Sequence, residues 1–132
     1  MKHERILLPI DLKQPQVWAN ATDVACTVAR NHGAEVTVLY VAPELEPNLN
    51  RFPEDYKPQL EKWIAEHMPK DVQAKAVVKA GSTHRTICNI AREMKTDLIV
   101  MGAQNPTLRE RMMGSNASFV VLYAPTSVYV VR

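Results

Sequence analysis

Arg5-Ile-Leu-Leu-Pro-Ile10 is a short apolar run without period-two alternation, which predicts a strand buried on both faces. Val17, Ala21, Val24, Ala25, Val28 and Ala29 then recur at helical spacing, predicting an amphipathic helix from about Gln16 to Asn31. Gly33 stands where a C-terminal cap belongs. Glu35 to Val41 is rich in β-branched residues and reads as the second strand. Pro43, Pro47 and Pro53, with Asn48 and Asn50, mark a loop from Ala42 to Pro53. Leu60, Trp63, Ile64, His67 and Met68 form the apolar face of a second helix. Asp55 is the expected N-cap, with Pro58 in the first turn and Pro69 ending the helix. Val72 to Lys79 reads as an edge or near-edge strand. Ser82 is placed to cap a helix carrying Ile87, Ile90, Ala91 and Met94. Asp97-Leu-Ile-Val-Met101 is another fully buried strand, closed by Gly102. Gly114-Ser115 precedes a final helix with Ala117, Val120, Val121 and Ala124, and Ser127 to Arg132 is the last strand.

Strands alternating with helices imply an α/β protein: a doubly wound, five-stranded parallel sheet with helices on both faces. Right-handed crossovers favour this topology. The common small arrangement has strand order 3-2-1-4-5, and its ligands bind beyond the carboxyl ends of the strands where the order reverses. Pro9-Ile10-Asp11 and Met101-Gly102 are the residues at those two ends.

The chain has 132 residues, within the range of about 100–200 typical of one domain. Residues 1–132 are therefore expected to form one. With 46% hydrophobic residues it can close a core, which argues against disorder. Sixteen basic against fourteen acidic residues leave a net charge of +2, without the basic run of a nucleic-acid binder. No apolar run approaches the roughly 20 residues of a membrane span, and no signal-peptide pattern opens the chain, so the expected address is the cytoplasm. Cys26 and Cys88 make no disulfide framework or zinc cluster and read as buried, inert thiols. His3, His32, His67 and His84 are scattered; His67, with Trp63 on the apolar face of its helix, is expected in the core, and His84, near a helix start, is expected in solvent, with a phosphate contact as the other reading.

Candidate chemistry gathers after the fourth strand, in Gly102-Ala-Gln-Asn-Pro-Thr-Leu-Arg-Glu-Arg-Met-Met-Gly114-Ser-Asn-Ala117. Gly102 lets the backbone leave the strand sharply and allows a close approach. Gly114-Ser115-Asn116 opens a helix, whose unpaired N–H groups and dipole favour a phosphate. The same residues also suit an ordinary N-cap with nothing bound. Asp11 fits either a ligand contact or a cap of the first helix. Arg109 and Arg111 read as solvated loop charges, with screening of phosphate charge as the other reading, and Met112-Met113 as packing residues. Trp18 borders the expected pocket. Neither GxxxxGK[ST] nor GxGxxG is present, which disfavours P-loop and dinucleotide enzymes. No catalytic base stands at a telling position, so any hydrolysis would be slow.

In sequence order, Ile6-Leu-Leu-Pro-Ile-Asp11, Val38-Leu-Tyr-Val41, Leu98-Ile-Val-Met-Gly102, Gly114-Ser-Asn-Ala117 and Ala124-Pro125…Val128-Tyr-Val-Val131 match landmarks of one family. The chain resembles the universal stress proteins over nearly its whole length, with an adenine nucleotide alpha hydrolase-like fold. The family's nucleotide pattern is G-x2-G-x9-G-[ST]. Here Asn105 replaces the second glycine and the gap to Gly114 is one residue shorter. Asn-Pro followed by Gly-Ser-Asn-Ala is similar to the F/G-type enterobacterial subgroup, whose members bind nucleotides.

The resemblance implies a role for each matching position. Asp11 and Val41 would hold adenine, with Pro9 and Ile10 shaping the same pocket. Met101 and Gly102 would lie under the ribose and phosphates, and Gln104 and Asn105 occupy the altered phosphate loop. Gly114, Ser115, Asn116 and Ala117 would donate to the phosphates. The ligand would be ATP or AMP, with Mg2+ arriving on the nucleotide. The terminal strand would pair two copies into a homodimer that signals stress to a protein partner, with neither nucleic acid nor membrane involved. A nucleotide-free dimeric scaffold of the same fold is the alternative, with Asn105 blocking the phosphates. A weak ATPase or autophosphorylating protein is the third, resting on the position of Ser115.

Overall fold

The computed structural model describes residues 3–14, 18–42, 52–103 and 114–132. Strands β1 (Arg5–Ile10), β2 (Glu35–Ala42), β3 (Ala74–Ala80), β4 (Leu98–Gly102) and β5 (Ser127–Val131) make one sheet. Helices α1 (Ala19–His32), α2 (Lys57–His67), α3 (Thr83–Glu93) and α4 (Ser115–Tyr123) connect them. The strand order is β3-β2-β1-β4-β5 and every described pairing is parallel. This is the order expected from the sequence.

Alternation along the strands sorts the core into two layers. Ile6, Leu8 and Ile10 of β1 join Val36, Val38 and Tyr40 of β2 in a cluster with Ala21, Ala25 and Ala29 of α1 and Leu60 and Trp63 of α2. Leu7, Leu39, Ile99 and Met101 form a second cluster with Ile87, Ile90 and Ala91 of α3 and Ala117 and Val120 of α4. Each strand of the centre thus feeds both clusters, which is why its sequence is continuously apolar. The small alanines of α1 let that helix approach the sheet closely.

Several boundaries differ from the sequence expectation for local reasons. Helix α1 starts at Ala19, later than Gln16, with Trp18 as its N-cap. Gly33 closes it in the left-handed conformation at φ 64°, its N–H bonded to the Ala29 carbonyl. Asp55 does not cap α2. It belongs to a 3-10 turn over Pro53–Tyr56, and its carboxylate accepts the Phe52 N–H at 2.9 Å. The α-helical geometry begins at Lys57. Strand β3 begins at Ala74, although Val72 is buried in the preceding turn. Asp97 stands just before β4 and accepts the N–H groups of Glu4 and Arg5 at 2.8 and 3.1 Å. A residue engaged in that way reads as strand from sequence but serves as a clamp on the start of β1.

Candidate functional site

The order β2-β1-β4 puts the reversal of winding between β1 and β4. Their ladder pairs Ile6 with Leu98 and Leu7 with Ile99. Beyond it comes Pro9, which has no N–H to donate. A cavity of about 270 Å3 opens at this end of the sheet. Small-molecule sites usually span roughly 300–1,000 Å3, so the described walls enclose a small ligand's share of space.

Pro9, Ile10, Asp11, Val41, Met101 and Asn116 line the cavity, all among the residues expected from the sequence. The tip of β1 and the start of α4 therefore share one space. Asp11 is held there by a tight turn. Its Oδ1 accepts the Lys13 N–H at 2.9 Å and its carbonyl accepts the Gln14 N–H at 3.1 Å. It serves the turn after β1 rather than capping α1, which begins further on.

The start of α4 is pinned from two directions. Gly114 donates its N–H to the Ala103 carbonyl at 2.8 Å, and Ala103 donates to the Val131 carbonyl at 2.8 Å. These bonds hold the first turn of α4 against the ends of β4 and β5. Gly114 is the N-cap and no side chain caps the helix. The first N–H groups of any helix lack partners within it, so Ser115, Asn116 and Ala117 carry the positive end of α4. Ser115 and Asn116 are exposed, whereas Gly114 and Ala117 are buried. Gly114, Ser115 and Ala117 stand beside the cavity's Asn116 but are not themselves among its lining residues.

Gly102 lies beneath the indole of Trp18. A Cβ at Gly102 would stand 2.8 Å from Trp18 Cζ3. The close approach that glycine permits is thus made by Trp18, which also lines the cavity. Gln104, Asn105, Arg109, Arg111, Met112 and Met113 lie outside the described residues.

Sequence reasoning missed part of the wall: Lys13, Leu39, Tyr40, Thr83 and Ile87 line it too. It also misplaced His84. This histidine is half-buried, its ring 4.1 Å from Phe119 and its Nδ1 3.1 Å from Asn116 Oδ1. The signal was topological. The crossover from edge strand β3 to central β4 carries α3 over the same face as α4, so the starts of the two helices meet. His67 was misread in the other direction. It is exposed and stacks on buried Trp63 at 5.1 Å, its Nδ1–H donating to that residue's carbonyl at 3.0 Å.

Burial pushes both thiols up, Cys26 and Cys88, which are free and buried as expected. Among the described residues no group of three or more His, Cys, Asp or Glu could hold a metal ion. None of the described helices is long and apolar enough to cross a membrane.

The family model for the universal stress proteins matches residues 2–132. The chain belongs to the universal stress protein family. Among its curated relatives is Universal stress protein G of Shigella flexneri, 26% identical over 142 residues, covering 98% of this chain and 99% of the relative. The universal stress protein of Archaeoglobus fulgidus solved in complex with dAMP is 22% identical, with a TM-score of 0.74 over 100% of both chains. A universal stress protein solved in complex with cAMP is 18% identical, with a TM-score of 0.74 over 100% of this chain and 98% of its own. At those identities the two structures share the fold with this universal stress protein.

Proposed function

We propose that this protein binds an adenine nucleotide, AMP or ATP, in the cavity between the β1 tip and the start of α4. One observation carries the reading: Asp11, Val41 and Asn116, distant in sequence, line one space at the sheet's switch point. Asp11 and Val41 would hold the base, with Pro9 and Ile10 shaping its pocket. Met101 and Gly102 would underlie the ribose and phosphates. Gly114, Ser115, Asn116 and Ala117 would receive the phosphates at the positive end of α4. Gln104 and Asn105, outside the described residues, would complete the phosphate loop. Mg2+ would come with the nucleotide, held by phosphate oxygens. The dAMP and cAMP complexes of structural relatives support this choice of ligand class.

In this reading residues 1–132 act as one cytoplasmic domain that reports nucleotide state to a protein partner in the stress response. Two copies would pair through β5, whose Tyr129 is exposed. Calorimetric titration of the purified chain with AMP and with ATP, with and without Mg2+, tests the ligand. Micromolar binding that is lost in Asp11→Ala and in Gly114→Val is expected. A folded sample that binds neither nucleotide at millimolar concentration overturns it. Sedimentation equilibrium tests the pairing.

A second reading, a nucleotide-free dimeric scaffold, is favoured by Trp18, whose indole occupies the space over Gly102. Trp18→Ala would then gain nucleotide binding that the wild type lacks.

A further inference from the structure

We propose that His84 is a positioning residue that couples a proton to the anionic end of the ligand in this cavity. The inference rests on reading the cavity as an adenine-nucleotide site. His84 sits in the first turn of α3, between the N-cap Ser82 and the buried Ile87. Thr83 beside it and Asn116 across from it both line the cavity. Its Nδ1 is 3.1 Å from Asn116 Oδ1, and its Nε2 is 3.4 Å from Ser82 Oγ. Phe119 fixes the ring plane from α4, with centroids 4.1 Å apart.

Asn116 Oδ1 is an acceptor, so Nδ1 carries the proton in this bond. That commits Asn116 Oδ1 to the imidazole and leaves its amide N–H pair for another acceptor. A phosphate oxygen is the acceptor that a nucleotide brings. A second proton on the ring breaks nothing, because Nε2 then faces the Ser82 hydroxyl, which accepts. An anion bound beside the ring attracts that second proton, and the protonated ring attracts the anion. Proton and anion therefore bind cooperatively, by linkage.

The surrounding charges leave this coupling in place. On α3, Arg85 is the next residue and Arg92 and Glu93 lie at the far end. Helix α4 carries no Asp, Glu, Lys, Arg or His, and its one titratable residue, Tyr123, is at its end. Asp11 and Lys13 are the charged residues on the cavity wall.

The test titrates the full chain by calorimetry with AMP and with adenosine, at about pH 6 and about pH 8, where histidine changes charge. Wild type, His84→Gln and His84→Arg are compared. The phosphate of AMP has its own pKa near 6, so the quantity read is the wild-type affinity relative to His84→Gln at each pH. The wild-type advantage for AMP is expected to be about fivefold to tenfold larger at the lower pH, the size of one charge interaction at a partly exposed site. Adenosine, lacking the phosphate, shows no such change. His84→Arg, which keeps a cation, binds AMP tightly at both values. An AMP profile in His84→Gln that parallels the wild type overturns the coupling and leaves the nucleotide reading standing. Failure of the wild type to bind AMP at either pH overturns both.

Discussion

Replacing Gly102 by alanine places a Cβ 2.8 Å from Trp18 Cζ3 and 3.0 Å from Cε3. Real carbon contacts at that distance are repulsive, so the indole or the strand must move. Strand β4 cannot yield readily, because Gly102 pairs with Val131 of β5 and is itself buried. Trp18 is anchored at its backbone, where its carbonyl accepts the Thr22 hydroxyl at 2.8 Å. Its ring is therefore expected to rotate toward the cavity, at an overpacking cost of about 1–3 kcal/mol. For a chain of this size, at about 3–5 °C per kcal/mol, that lowers Tm by roughly 3–15 °C. Urea and thermal unfolding of wild type, Gly102→Ala, Trp18→Leu and the double variant measure the cost. In the Trp18→Leu background the alanine should cost under about 1 kcal/mol, because the ring it meets is gone. An unchanged Tm in Gly102→Ala, or an equal cost in both backgrounds, refutes the packing argument.

Gly33→Ala should cost about 1 kcal/mol in urea unfolding, because φ is 64° while nothing stands within 4 Å of the added carbon. Gly33→Asn should cost less, since asparagine tolerates that conformation. Hydrogen bonding from the Arg30 guanidinium, with its charge, holds the exposed Asp71 carboxyl below the usual carboxylate range. A depressed folded-state pKa adds stability above the unfolded-state value and loses it as pH falls through the folded one. The small advantage of wild type over Asp71→Asn should thus be present at neutral pH, vanish in acid and shrink in high salt. Cys26 and Cys88 should react with a thiol reagent at pH 8 only slowly in the native protein and fast in denaturant, because burial raises both pKa values. Fast native labelling would contradict their burial.

The sheet was legible because its central strands face core on both sides, so residues 6–10 and Leu98–Gly102 are unbroken apolar runs. Gly33 was legible for a local reason, the left-handed cap that ends α1. The misreadings come from interactions that link residues far apart. Asp97 reads as strand, yet its carboxylate binds N–H groups more than ninety residues away. His84 reads as solvent-facing until α3 and α4 are laid on one face and its ring meets Phe119. Of the site, the strand tips and the start of α4 could be found from sequence because topology alone places ligands there. Thr83 and Ile87 could not, because which turn of α3 reaches the cavity depends on packing. Trp18 could be flagged by its position, but not its seat on Gly102.

The central claim is that one adenine nucleotide spans the space from Asp11 to the start of α4. Amide chemical-shift mapping of the isotope-labelled protein during an AMP titration tests it most directly. Saturable shifts concentrated at Asp11, Val41, Thr83, His84 and Gly114 to Ala117 are expected. Shifts confined to the opposite end of the sheet, around Glu35 and Thr96, or no shifts at millimolar AMP, would contradict it.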